Sequence, residues 1–151
     1  MAGAIAAGAA GAAAALAAGE LIYASVWPTS QIFGRTLVAG KDAREVALTF
    51  DDGPNDRATP QLLDALARHN VRATFFIIGE FGRQRPELVR AVAAAGHLIG
   101  NHTMTHPWLV WQPARVIQEE LSGCSKMIED LIGEPVRYLR PPHGARRRSA
   151  G

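Results

Sequence analysis

The chain of 151 residues has a single cysteine, Cys124, so it can form no internal disulfide, and cysteine usage leaves the redox compartment open. Charge is also nearly absent from the first part of the chain, where Glu20 is the only ionisable side chain before Arg35 apart from Tyr23. No Lys or Arg precedes this stretch, which excludes the basic n-region of an ordinary secretory signal. The nearest cations, Arg35, Lys41 and Arg44, lie on its C-terminal side, an arrangement that the positive-inside rule sets against export. The formal net charge is only +2. The one basic run, Arg146–Arg148, has no interleaved aromatics and reads as a solvated tail, so no nucleic-acid partner is expected.

What the N-terminal part does contain is Ala and Gly, almost without interruption from Ala2 to Gly19, followed by uncharged sequence from Leu21 to Gly34. A bilayer crossing needs about 20 apolar residues. Residues 1–34 therefore read as a membrane-anchor or signal-like segment with its linker, and membrane anchoring would run through residues 2–27. The weakly apolar composition keeps a low-complexity tail as the alternative. Starting a folded domain at residue 46 leaves about 106 residues, enough for a modest core.

From Val46 onward short apolar runs alternate with helical patterns. Val46–Phe50 and Ala73–Ile78 read as buried strands, with Leu98–Gly100 and Val136–Leu139 as shorter candidates. Pro60–Asn70, Pro86–Ala95 and Pro113–Ile132 read as helices, each opening with Pro, and Asn70, Gly96 and Gly133 sit where helices stop. Ile117, Leu121, Cys124, Ile128 and Leu131 recur at helical spacing as one apolar stripe. Strand–helix alternation with continuous apolar strands predicts an α/β fold with a parallel sheet and right-handed crossovers.

Three motifs each follow a predicted strand: T-F-D-D-G-P at Thr49–Pro54, H-T-M-T-H at His102–His106, and R-P-P-H-G at Arg140–Gly144. Parallel α/β folds build their sites at the carboxyl ends of strands. Taken singly, a His pair four apart is a surface feature and D-D-G-P is a turn. Taken together, two imidazoles and a carboxylate leave coordination positions open, the mark of a catalytic metal site. A second, adjacent carboxylate is then free to act as general base. Strand alternation alone does not say which of Asp51 and Asp52 binds metal. Arg140, ending an apolar strand, calls for a carboxylate partner. His143 offers its backbone amide to a developing oxyanion, or is a solvated loop residue. Non-haem iron also uses two His and a carboxylate, but the order of the ligands, the second Asp and the βα rhythm count against an oxygenase.

These motifs resemble the first three of the polysaccharide deacetylases, the NodB-homology domain of carbohydrate esterase family four, in order and spacing over Val46–Gly144, including G-N-H-T-x-T-H at Gly100–His106. W-P-x-S-Q-x-F-G at Trp27–Gly34 resembles the linker that follows a membrane segment in bacterial members. The resemblance implies parallel (β/α) units forming part of a distorted (β/α) barrel. It implies Asp52, His102 and His106 as ligands of a divalent metal, usually Zn2+, and Asp51 as general base. Arg140 would orient Asp51, and the His143 amide would stabilise the oxyanion. The reaction would be removal of N-acetyl groups from an amino-sugar polymer such as chitin or peptidoglycan, at the extracytoplasmic face of a bacterial envelope, by a membrane-anchored or secreted protein.

The resemblance also implies a fourth, Asp-rich motif and a fifth, L-x-x-H, supplying the general acid, and neither follows Gly144 in this chain. The expectation is therefore residues 46–151 as a partial domain, incomplete at its C-terminus. The competing reading is a non-catalytic fragment or metal- and sugar-binding module of the same family.

Overall fold

The computed structural model describes residues 2–27, 29–38 and 40–146, with side chains described from residue 8. Pro28, which lies in the linker motif, and Arg147 and Arg148 of the basic run fall outside the described residues. The first element is a long helix, α1 (Ala2–Val26). Its Gly8–Val26 portion is long and apolar enough to cross a membrane and is almost wholly exposed. Tyr23 and Trp27 stack at its C-terminal end with ring centroids 5.9 Å apart.

The domain that follows runs β1 (Thr49–Gly53), α2 (Ala58–Arg68), β2 (Thr74–Ile77), α3 (Gly79–Gln84), α4 (Pro86–Ala94), β3 (Leu98–Asn101) and α5 (Ala114–Ile132). Short 3-10 turns lie at Leu109–Trp111 and Pro142–Gly144. The strands form one parallel sheet in the order β1-β2-β3. Phe75, Ile77 and Ile99 from the sheet are buried with Leu66 of α2, Val89 and Val92 of α4, and Cys124 and Ile128 of α5. The α5 stripe read from sequence is this packing face: Ile117, Cys124 and Ile128 are buried. Close packing extends to Gly79, where a Cβ would lie 2.3 Å from Met104 Sδ and 3.4 Å from Cys124 Cα. Burial pushes the Cys124 thiol up to about 11, so it stays protonated and serves as a core residue.

Local chemistry accounts for the helix boundaries. Asn55 Oδ1 accepts from the amides of Arg57 and Ala58, and Thr59 Oγ1 accepts from the Asn55 amide, a reciprocal arrangement at the start of α2. Pro86 begins α4 and Pro113 caps α5. Asn70, Gly96 and Gly133, the expected stops, all adopt left-handed φ of 51°, 75° and 73°.

Three expectations need correction. The first strand is Thr49–Gly53 rather than Val46–Phe50, because the ladder begins only where the Thr74 amide donates to Leu48 O. Val46, before that point, is 85% exposed. Val136–Leu139 is not a strand; it makes one isolated bridge, Asn101 with Leu139. The Val136 amide is turned away to Glu129 Oε1 on α5, leaving only Asn101 N to Tyr138 O and Arg140 N to Asn101 O across the seam. Arg146 is not solvated: its guanidinium donates to Thr36 Oγ1 and Ser30 O, and its amide to Ser25 O, tying the linker to the chain just past the third motif.

Candidate metal centre

The carboxyl ends of β1 and β3 and the Arg140–Gly144 segment converge on one point. The Asp51–Gly53 end of β1 is still within the strand, but its register with β2 slips between Phe50 and Gly53, and Asp52 takes a φ of 62°. At this bulge the two carboxylates turn to different partners. Asp51 pairs with Arg140, Nη1 to Oδ1 at 2.8 Å, while Asp52 faces the histidines. The Gly53–Pro54 peptide is cis.

After β3 the His102–His106 segment is a compact turn and not a helix. The buried Asn101 side chain anchors it, donating to Leu121 O and Ser125 Oγ and accepting from the Thr103 amide at 2.7 Å. Thr103 is fully buried, and its Oγ1 accepts from the His106 amide at 3.1 Å. Glu120 of α5 accepts from the Met104 and Thr105 amides and from the Thr105 hydroxyl. Neither Glu120 nor Asn101 was singled out from sequence; the only signal was their place beside the H-T-M-T-H motif and on the polar flank of α5.

The result is a tight group of possible ligand atoms. Asp52 Oδ1 lies 3.4 Å from His102 Nε2 and 3.2 Å from His106 Nε2. One ligand atom from each of Asp52, His102 and His106 falls within 4.8 Å of the others. Tetrahedral zinc with ligand bonds of about 2.0–2.1 Å requires ligand–ligand separations of roughly 3.3 Å. The separations from Asp52 match that edge length, so the donor set and the spacing fit a divalent metal. His102 is buried and Nδ1 sits 2.7 Å from Arg140 O, which leaves Nε2 as the free lone pair.

Arg140 has two further side-chain contacts. Nη1 also donates to Thr49 Oγ1 at 2.9 Å, and the guanidinium lies 4.2 Å from the centroid of the Phe76 ring. His143, exposed and at a φ of 57°, stacks on Trp108 with centroids 3.9 Å apart and planes 11° from parallel. The His106 ring meets it edge-on at 4.7 Å. Trp108 was not foreseen, since nothing in its sequence position marks it. Of the five non-glycine residues with positive φ among those described, Asp52, Thr103, His106 and His143 all belong to this cluster. Such strain persists only where surrounding contacts enforce it, and it gathers at functional sites.

The family model for polysaccharide deacetylases matches residues 39–150. The chain belongs to this family. It is 45% identical over 107 residues to a chitooligosaccharide deacetylase of Sinorhizobium fredii, covering 70% of this chain and 50% of that protein. It is 43% identical over 100 residues to a peptidoglycan-N-acetylglucosamine deacetylase of Bacillus cereus, covering 66% of this chain and 36% of that protein. Among solved structures, the Bc1960 peptidoglycan N-acetylglucosamine deacetylase superposes with a TM-score of 0.66 at 42% identity, over 67% of this chain and 47% of that one. A CE4 family pseudoenzyme from Bacillus anthracis superposes with a TM-score of 0.65 at 29% identity, over 68% of this chain and 37% of that one. The chain thus spans half, or less, of the length of these polysaccharide deacetylase relatives, and its parallel β/α units correspond to part of their fold.

Proposed function

We propose that this chain carries the metal-binding half of a deacetylase that removes N-acetyl groups from an amino-sugar polymer, of the chitin or peptidoglycan class. The observation that carries the reading is the convergence of Asp52, His102 and His106 beside an Asp51 held by Arg140. A divalent metal bound there, zinc on this donor set, supplies a Lewis acid for the amide carbonyl and acidifies a water molecule. Asp51 accepts the proton of the attacking water through the carboxylate oxygen not engaged by Arg140. Arg140 fixes the direction of that oxygen through its simultaneous grip on Thr49 and Asp51. The His143 backbone amide serves the oxyanion that develops on the acetyl carbonyl.

The domain reading follows: residues 1–34 as anchor and linker, residues 46–151 as part of the deacetylase domain. Exposed, apolar α1, with the Tyr23–Trp27 pair at its end, suits a membrane span with an aromatic belt. It would hold the domain at the extracytoplasmic face of the envelope, where such a polymer lies.

A second reading is favoured by the pseudoenzyme among the structural neighbours, since a shared fold does not carry turnover with it. In that reading the chain binds metal and sugar without hydrolysis. Acetate release from N-acetylchitooligosaccharides and from peptidoglycan, with zinc added and the domain completed to the length of its relatives, separates the two. Release that chelator abolishes supports the deacetylase. Stoichiometric zinc without release supports the binding module, and absence of both overturns the reading of this site.

A further inference from the structure

Trp108 lies immediately after Pro107, next to the second motif, and opens the short 3-10 turn Leu109–Trp111. A tryptophan that contributed only to stability would be covered, yet Trp108 is 49% exposed while the next residue, Leu109, is buried. One face of its indole is taken by the His143 ring, nearly parallel at 3.9 Å. His143 in turn abuts His106, and His106 abuts His102, at 4.7 and 4.9 Å between centroids. A continuous row of rings thus runs from the candidate metal ligands to an indole that is half open to solvent.

We infer that Trp108 is the stacking floor for a pyranose ring of the amino-sugar substrate, beside the residue whose acetyl group reacts. This rests on the deacetylase reading of the site and adds to it a recognition element. A β-linked amino-sugar pyranose with equatorial substituents turns axial C–H bonds to each face. Those faces are apolar enough to cover an aromatic ring, whose negative π-surface attracts the polarised C–H groups. The stack with His143 holds the indole in one orientation, which limits the side-chain entropy that binding must remove. Trp111, on the same turn, is also highly exposed. The inferred ligand class is a sugar chain of more than one residue, because two further imidazole rings, His143 and His106, stand between the indole and His102.

The test uses the full chain loaded with zinc, titrated calorimetrically with tetra-N-acetylchitotetraose, alongside Trp108→Ala and Trp108→Phe. Loss of one aromatic contact is expected to weaken binding of the tetramer about fivefold or more in Trp108→Ala. Trp108→Phe should recover most of that affinity, and zinc content should be equal in all three proteins. Equal affinity in wild type and Trp108→Ala overturns the inference and leaves the deacetylase reading standing. Weakened binding together with lost zinc also overturns it, by assigning Trp108 to the support of the metal ligands. Absence of any tetramer binding by the zinc-loaded wild type removes the inference and the sugar-directed reading together.

Discussion

Nδ1 of His102 lies 2.7 Å from the backbone carbonyl oxygen of Arg140, linking the second motif to the third through a single hydrogen bond. A carbonyl can only accept, so Nδ1 must donate, and the lone pair of Nε2 is turned toward Asp52. Partners of this kind fix the tautomer of a metal-ligating His, and their loss typically costs about 10–100-fold in metal affinity. Loss of the ligand itself is more severe. Metal analysis of the purified chain should find near-stoichiometric zinc or a similar ion, and His102→Ala should abolish it. Equal metal content in the two proteins would show that the three side chains form no metal site.

The two carboxylates of β1 have different partners and should fail differently. In a deacetylase domain completed to the length of its relatives, Asp51→Asn keeps shape but cannot accept a proton, so chelator-sensitive acetate release should fall by roughly 10²–10⁴-fold. Its metal content should be unchanged, because Asp51 faces Arg140 and not the histidines. Asp52→Asn should lose metal. Arg140→Lys retains charge but replaces the Nη1 donor shared by Thr49 and Asp51 with a shorter, tetrahedral ammonium that cannot lie over Phe76 in the same way, and should lie between wild type and Asp51→Asn in rate. Metal lost with Asp51 and kept without Asp52 would exchange the two roles.

Stability should depend on pH through His97, which lies outside the three motifs. Burial, and secondarily the nearby positive charge of Arg72, hold its imidazole below the ordinary value of 6.5. Its Nδ1 accepts from the Ala73 amide at 3.3 Å, a bond that needs the unprotonated nitrogen. The unfolded chain therefore takes up a proton as pH falls through 6.5 while the native state resists it. The stabilisation is present above that pH and is lost progressively below it. Thermal melts across this range should show the midpoint falling on acidification, with a shallower fall in His97→Gln. Identical slopes in both proteins would assign the acid sensitivity to other groups.

Much of this was legible in sequence where one local rule decided the outcome. The α5 stripe at Ile117, Cys124 and Ile128 and the left-handed stops at Asn70, Gly96 and Gly133 follow from periodicity and from backbone freedom, and both are present. The carboxylate partner demanded for Arg140 is also there. What could not be read depended on register or on distant contacts. Asp51 and Asp52 are sorted by a slip against β2, which only the pairing of the strands defines. Val136–Leu139 has strand composition but lacks a ladder, because Glu129 captures the Val136 amide. The Trp108–His143 stack joins two loops that no spacing rule connects.

The support beneath Arg140 gives the most direct test of how the sheet positions the site. Gly100 of β3 has no room for a side chain: a Cβ there would lie 2.5 Å from both Cδ1 and Cε1 of Phe76 and 3.2 Å from Tyr138 O. The Phe76 ring in turn lies 4.2 Å below the Arg140 guanidinium. A methyl group at position 100 must therefore displace the ring, and with it the guanidinium that orients Asp51. Overpacking of this kind costs about 1–3 kcal/mol. Gly100→Ala should accordingly lower the melting midpoint by several degrees, on the order of 4–8 °C per kcal/mol for a domain of this size. It should also reduce acetate release, because Arg140 is the partner that orients Asp51. Shortening the ring in the double variant Phe76→Leu with Gly100→Ala should restore part of the lost stability, because neighbours in contact are not additive. It should not restore the full rate, because the aromatic face under Arg140 is then gone. A neutral Gly100→Ala, or a double variant no more stable than the sum of the two single changes, would mean that Phe76 does not transmit the position of β3 to Arg140.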